Sequence, residues 1–225
     1  MRHAVVPDAD VALGVECALP VAQGFGGGRN RRWRRRAATA LAGALLAGGL
    51  WLFGQGIYVY AKAGLAQALI TRAWTRTLAG DREVKPWPWA DTWPVARLIV
   101  PTLDVDLFVL AGADGRTIAF GPGHVFGTPL PGEAGNSVIG GHRDTHLAFL
   151  RDLEAGAELV VERPDGARRR YRLDWRSVLD KREVWVLKNE GPTRLTLITC
   201  YPFDALRAGG PLRYVVTARA IDDER

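Results

Sequence analysis

The sequence predicts an all-β domain, a barrel or a sandwich, behind one apolar helix of membrane-spanning length. Three observations predict it. Residues 37–61 contain no charged side chain and directly follow six arginines between Arg29 and Arg36. Residues 95–220 break into short runs rich in Val, Ile, Leu, Thr and aromatics, bounded by Gly, Pro and Asp turns. Only one short segment of that region reads as a helix, so the domain belongs to the β class.

Length and charge narrow the function. The 225 residues hold one domain of ordinary size plus a further segment. With 48% hydrophobic and 24% charged residues the chain is globular rather than disordered. The net charge of +6 resembles that of a nucleic-acid binder until it is located. Residues 1–36 carry seven arginines against three acidic residues, net +4, and only +2 is left for the rest. A nearly neutral body removes the main support for a nucleic-acid partner. Two cysteines, Cys17 and Cys200, exclude a disulfide scaffold and a four-cysteine zinc site.

The elements follow in order. Residues 1–36 read as a cytoplasmic tail, aperiodic through Gly26-Gly27-Gly28 and ending in the basic cluster. A helix needs about 20 mostly apolar residues to cross a bilayer. Residues 37–61 meet this, with arginines on one side and Tyr58 and Tyr60 on the other, as a signal anchor with a cytoplasmic N-terminus requires. The rival is a buried core helix. Ala61-Lys62-Ala63 has the form of a cleavage site, but the apolar run exceeds the about 7–15 residues of a cleaved signal. Residues 62–94 give a helix over 62–79 and then a Pro/Trp-rich connector, Pro86-Trp87-Pro88-Trp89 and Trp93-Pro94. The domain at 95–225 shows strands over 96–100, 105–110 and 117–120, a Gly/Pro loop over 121–136 and a strand over 137–140. A short helix over 145–153, a hairpin of 157–163 with 168–176 about Pro164-Asp165-Gly166, and strands over 184–187, 194–199 and 212–220 complete it.

Chemistry concentrates at strand ends. Alternation over 194–200 puts Thr196, Ile198 and Cys200 on one face, and Tyr201-Pro202 stops the ladder there. Arg213 begins the next strand, and antiparallel pairing returns it to the same end, where its charge favours a thiolate and an oxyanion. His142, in Gly140-Gly141-His142-Arg143-Asp144-Thr145, also sits at an element end. If the anchor reading holds, Cys17 and Cys200 lie on opposite sides of the membrane and cannot pair. A cysteine, a histidine and an arginine so placed suit acyl transfer through a thioester. Blander readings make Cys200 a core thiol and Arg213 a surface residue. His142 and His146 with Cys200 or His124 are a possible metal set, but no glutamate follows His142 and the arginine has no part in it. His124 reads equally as a pocket residue or as a loop histidine satisfying backbone groups.

On these residues the region 95–221 resembles the sortase family of cysteine transpeptidases. Thr196-Leu197-Ile198-Thr199-Cys200 matches its TLxTC motif, and Arg213 and His142 match its arginine and histidine. Gly121-Pro122-Gly123-His124, Pro131-Gly132-Glu133, Asn136 and Gly141-His142-Arg143 resemble the loop leading to that histidine. The Gly-His-Arg-Asp-Thr and Cys-Tyr-Pro-Phe segments are most similar to the Gram-negative group. The resemblance implies a closed barrel of about eight strands with short helices. It implies Cys200 as nucleophile, His142 as acid and base, Arg213 as substrate or oxyanion donor, and Thr199 and His124 as substrate-binding residues. No metal or cofactor is implied. The partner would be a surface or secreted protein with an LPxTG-like C-terminal sorting signal, with an amine as acceptor. The location would be the bacterial inner membrane, single-pass, with a periplasmic catalytic domain. The rival functions are a peptidase whose thioester water resolves, and an anchored binding barrel without catalysis.

Overall fold

The computed structural model describes residues 27–207 and 209–221. The expectations for residues 1–26, Cys17 among them, lie outside these. Helix α1 spans Gly27–Leu78 and takes in the basic cluster. Two compact units divide at Gln55/Gly56. In the first, Leu45, Leu46, Leu50, Trp51, Leu52 and Phe53 are all exposed. Among the described residues one helix is long and apolar enough to cross a membrane.

In the second unit the end of α1 packs on a β domain. Ala66, Ile70, Ala73, Trp74 and Thr77 are buried at helical spacing. The Trp74 ring meets Phe108 at 6.0 Å, and Gln67 Nε2 donates to the Phe120 carbonyl at 2.6 Å. From the Pro/Trp connector, Trp87 adds an edge contact to Phe120 at 5.0 Å.

The domain is a closed barrel of eight strands. They are β1 (Pro94–Val100), β2 (Val105–Ala111), β3 (Gly123–His124), β4 (Asn136–Gly141), β5 (Glu158–Glu162), β6 (Arg168–Asp180), β7 (Arg194–Tyr201) and β8 (Leu212–Ala220). Around the barrel the order is β1-β2-β3-β4-β7-β8-β6-β5. The β2/β3 and β4/β7 pairs are parallel and all others antiparallel. Alternate residues fill the interior: Ala96, Leu98 and Val100 of β1, Leu195 and Leu197 of β7, Val216 and Ala218 of β8.

Four local expectations are corrected. Residues 184–187 form a 3₁₀ turn, Val184–Leu187, instead of a strand. A four-residue apolar run does not distinguish the two, and this one covers the barrel's outer face instead of joining a ladder. Residues 117–120 are likewise a 3₁₀ turn, Thr117–Ala119. There the Asp114 carboxylate accepts the backbone N–H groups of Arg116 and Thr117 and the Thr117 hydroxyl, which winds the chain into a turn. The helix expected over 145–153 contracts to the 3₁₀ turn Ala148–Arg151. Leu150 within it and Leu147 and Leu153 on either side are buried at every third position, which matches the 3₁₀ period. The loop 121–136 contains β3, which slots so close to β2 that a Cβ at Gly123 would lie 2.1 Å from the Gly112 carbonyl oxygen.

Candidate active site

Strand register assembles the site. In the parallel β4/β7 pair Gly141 lies opposite Thr199, so the next residues, His142 and Cys200, leave the two strands side by side. In the antiparallel β7/β8 pair Cys200 lies opposite Arg213. Neighbouring strands are about 4.7–4.9 Å apart, so Cys200 has His142 one strand away on one side and Arg213 one strand away on the other. The thiol is partly exposed and His142 is exposed.

Each of the three is held from behind. Thr199, expected to bind substrate, is only 2% exposed, and its hydroxyl donates to the Gly141 carbonyl at 2.8 Å. This fixes the residue before His142 to the residue before Cys200. The His142 carbonyl accepts the Leu147 N–H at 3.0 Å. Gly141 is required here, because a Cβ would lie 2.9 Å from the buried Leu147. Arg213 donates from Nη1 to the carbonyls of Gly210 and Leu212, both at 2.8 Å. Sequence reasoning passed over Arg143. It is buried, and its Nη2 donates to the carbonyls of Ala205 at 2.7 Å and Arg207 at 2.9 Å. The residue after His142 thereby grips the β7–β8 loop. Arg151 stacks over Phe203 of that loop at 5.4 Å.

Two further histidines, His124 and His146, lie outside this row of strand ends. His124 lies opposite Ile139, back along β4 from His142, and is 3% exposed. Its Nε2 meets the carbonyls of Thr128 and Pro129 and the Thr128 hydroxyl at 3.0–3.1 Å. Burial holds its pKa below the ordinary value, so the ring is neutral and staples its own loop. Burial and the nearby His142 also lower His146, which bonds the Ile118 backbone.

A groove runs over the outside of the barrel from Arg213, the residue opposite Cys200. Thr196 and Ile198 of β7, together with Val215 and Thr217 of β8, form its floor. The Val184–Leu187 turn is its roof. A cleft of about 130 Å³ next to Arg213 is lined by Ile198, Val215, Val184 and Leu187. A second, of about 340 Å³, lies over Thr196 and Thr217, and Val186 borders both. The roof hangs from Asn136, which is fully buried. Its Nδ2 donates to the carbonyls of Val186 at 2.8 Å and Lys188 at 3.1 Å, and its Oδ1 accepts the Thr196 hydroxyl at 2.7 Å. Its backbone N–H donates to Asn189 Oδ1 at 2.8 Å.

The Sortase domain family matches residues 98–221. Sortase D of Bacillus subtilis (strain 168) is 28% identical over 125 residues, which are 55% of this chain and 62% of that protein. The match therefore spans less than two thirds of that relative's length. Sortase C-1 from Actinomyces oris superposes with a TM-score of 0.51 at 31% identity, over 57% of this chain and 74% of that one. Sortase A from Corynebacterium diphtheriae shares the fold, with a TM-score of 0.53 at 24% identity over 71% and 83% of the two chains.

Proposed function

This chain belongs to the sortase family, and from that premise we propose that it is a membrane-anchored cysteine transpeptidase. Its substrate would be a surface or secreted protein with an LPxTG-like C-terminal signal. The observation that carries the reading is the register, which sets Cys200 between His142 and Arg213 at adjacent strand ends.

Cys200 Sγ attacks the carbonyl carbon of the signal's Thr, forming the S–C bond. Arg213 faces the developing oxyanion or the adjoining substrate backbone. As the C–N bond breaks, His142 gives its proton to the leaving amine. The thioester waits in the groove. An incoming amine loses a proton to His142 and attacks the same carbon, and the Cys200 thiolate departs. Thr199 acts by holding β4 and β7 in register, and His124 by closing its loop.

The exposed apolar stretch of α1 supports an anchor in the bacterial inner membrane, because six large side chains left in water would each forgo about 1.5–3 kcal/mol of burial. The arginines before it support a cytoplasmic N-terminus and a periplasmic barrel.

The test incubates the full chain in detergent with an LPxTG-like peptide and a small amine, followed by mass spectrometry. The expected result is a thioester adduct and an amide product from the wild type, and neither from Cys200→Ala. A free-acid product alone would make the enzyme a peptidase. A wild type that never forms an adduct would leave only a binding barrel.

A further inference from the structure

The larger cleft owes its shape to an irregularity in β6. Interior residues of β6 alternate through Tyr171 and Leu173, and Leu173 lies opposite Ala218. Regular pairing would set Asp174 opposite Thr217 and turn Trp175 inward opposite Val216. Instead the register shifts between Leu173 and Trp175, and Trp175 takes the place opposite Thr217. Such a bulge reverses the facing of every later residue on the strand. Trp175 is thereby delivered to the outer face, over the groove floor, while Asp174 turns to Arg219 at 2.9 Å. From the roof comes Trp185, its ring 5.8 Å from Trp175 and inclined by 56°. Trp185 Nε1 donates to Glu183 Oε2 at 3.0 Å, which fixes the ring's orientation.

Two indole rings thus face a cleft of about 340 Å³ and remain 37% and 48% exposed. Three of the polar groups around it are engaged elsewhere. Arg194 donates to the Lys188 carbonyl, Asp174 binds Arg219, and the Thr196 hydroxyl binds Asn136. What the cleft offers a ligand is chiefly aromatic surface, with the Arg194 guanidinium as the one cation in its lining.

Resting on the reading of the groove as the acyl-peptide site, we infer that the Trp175–Trp185 cleft is a further subsite. It takes an uncharged ring, a proline or an aromatic side chain, on the substrate residue directly before the sorting pentapeptide. The position follows from length. Thr196 is four residues from Cys200 along β7, about 13 Å at the strand rise. An extended substrate with its Thr at Cys200 covers that span in four residues, and the fourth before Thr in an LPxTG-like signal precedes the Leu. The occupant follows from the lining. The two inclined indoles present flat apolar surface to flat or pre-extended rings, as aromatic grooves grip proline-rich segments.

The test uses the full chain in detergent and LPxTG-like peptides that differ only at the residue before the pentapeptide: Pro, Phe, Ala or Glu. For the wild type, kcat/KM is expected to be about 3–10-fold higher with Pro or Phe than with Ala, the worth of one ring contact. In Trp175→Ala and Trp185→Ala that preference falls to near unity. It is a ratio within one preparation, so loss of folded protein in a variant does not alter it. A wild type that cleaves all four peptides equally, or Trp variants that keep the preference, would overturn the subsite and leave the proposed function standing. Failure to cleave any of them would overturn the function and the subsite with it.

Discussion

Replacing Asn136 by Asp changes one NH₂ into oxygen at the point from which the groove's roof is suspended. The amide donates to two carbonyls, Val186 at 2.8 Å and Lys188 at 3.1 Å, and accepts from Thr196 at 2.7 Å. An ionised carboxylate would put an anion against both carbonyls, so the new carboxyl keeps its proton in the folded state and its pKa rises above the unfolded value of about 3.9. A group raised in this way contributes its stability fully below the unfolded pKa and loses it as pH rises towards the folded pKa. At pH 4.5 the cost is one lost donor bond, about 1 kcal/mol, plus slightly less than that to keep the proton, about 2 kcal/mol in all. At pH 7.5 keeping the proton adds about 1.4 kcal/mol per pH unit above 3.9, for a total reaching about 5–6 kcal/mol. Asn136→Ala loses all three side-chain bonds at any pH, about 3 kcal/mol. Urea unfolding of the full chain in detergent at both pH values, followed by tryptophan fluorescence, measures this. The Asp variant should be the more stable of the two at pH 4.5 and the less stable at pH 7.5. An unchanged order, or a pH-independent difference from wild type, would refute the tether.

Two further outcomes follow from the same contacts. Arg143→Met frees the Ala205 and Arg207 carbonyls, so limited proteolysis within 203–210 should quicken, and kcat should fall by more than KM rises because the loop continues into Arg213. His124, buried and neutral, has its folded pKa depressed below 6.5, so its contribution is complete above pH 6.5 and is lost as pH falls from there through the folded value. The pH 5–7 slope of the unfolding free energy should flatten in His124→Gln, and an unchanged slope would remove His124 as its source.

The alternation in Arg194–Tyr201 was legible. Thr196 and Ile198 do share a face, their neighbours Leu195, Leu197 and Thr199 are buried, and Arg213 does return opposite Cys200. Period two says which residues share a face, but not which face is the core. The family resemblance implied a substrate contact for Thr199, and the structure buries it on the side of Leu195 and Leu197. Long-range tethers were not legible. Nothing local in Gly-Asn-Ser announces that Asn136 will hold a turn fifty residues on, and a buried amide reveals its role only when its acceptors are in place.

The location of the groove follows from the barrel itself. Eight strands close around an interior just wide enough for side chains, and here Leu98, Val100, Leu195, Leu197 and Val216 fill it. A peptide has no path through such a core and must lie on the outside, where a strand ordinarily presents polar residues to water. A groove there requires the alternation to fail locally. It fails at Ile198 and Val215, apolar on the outer side, and at Trp175, which a bulge moves outward. It also requires a wall that the sheet does not supply, and the Val184–Leu187 run, apolar enough to be taken for a strand, supplies it. Ile198, Val215, Trp175 and the Val184–Leu187 turn are therefore the positions a peptide in the groove would touch. A search for substrate contacts in related sequences should begin at apolar residues on the wrong side of β7, β8 and β6.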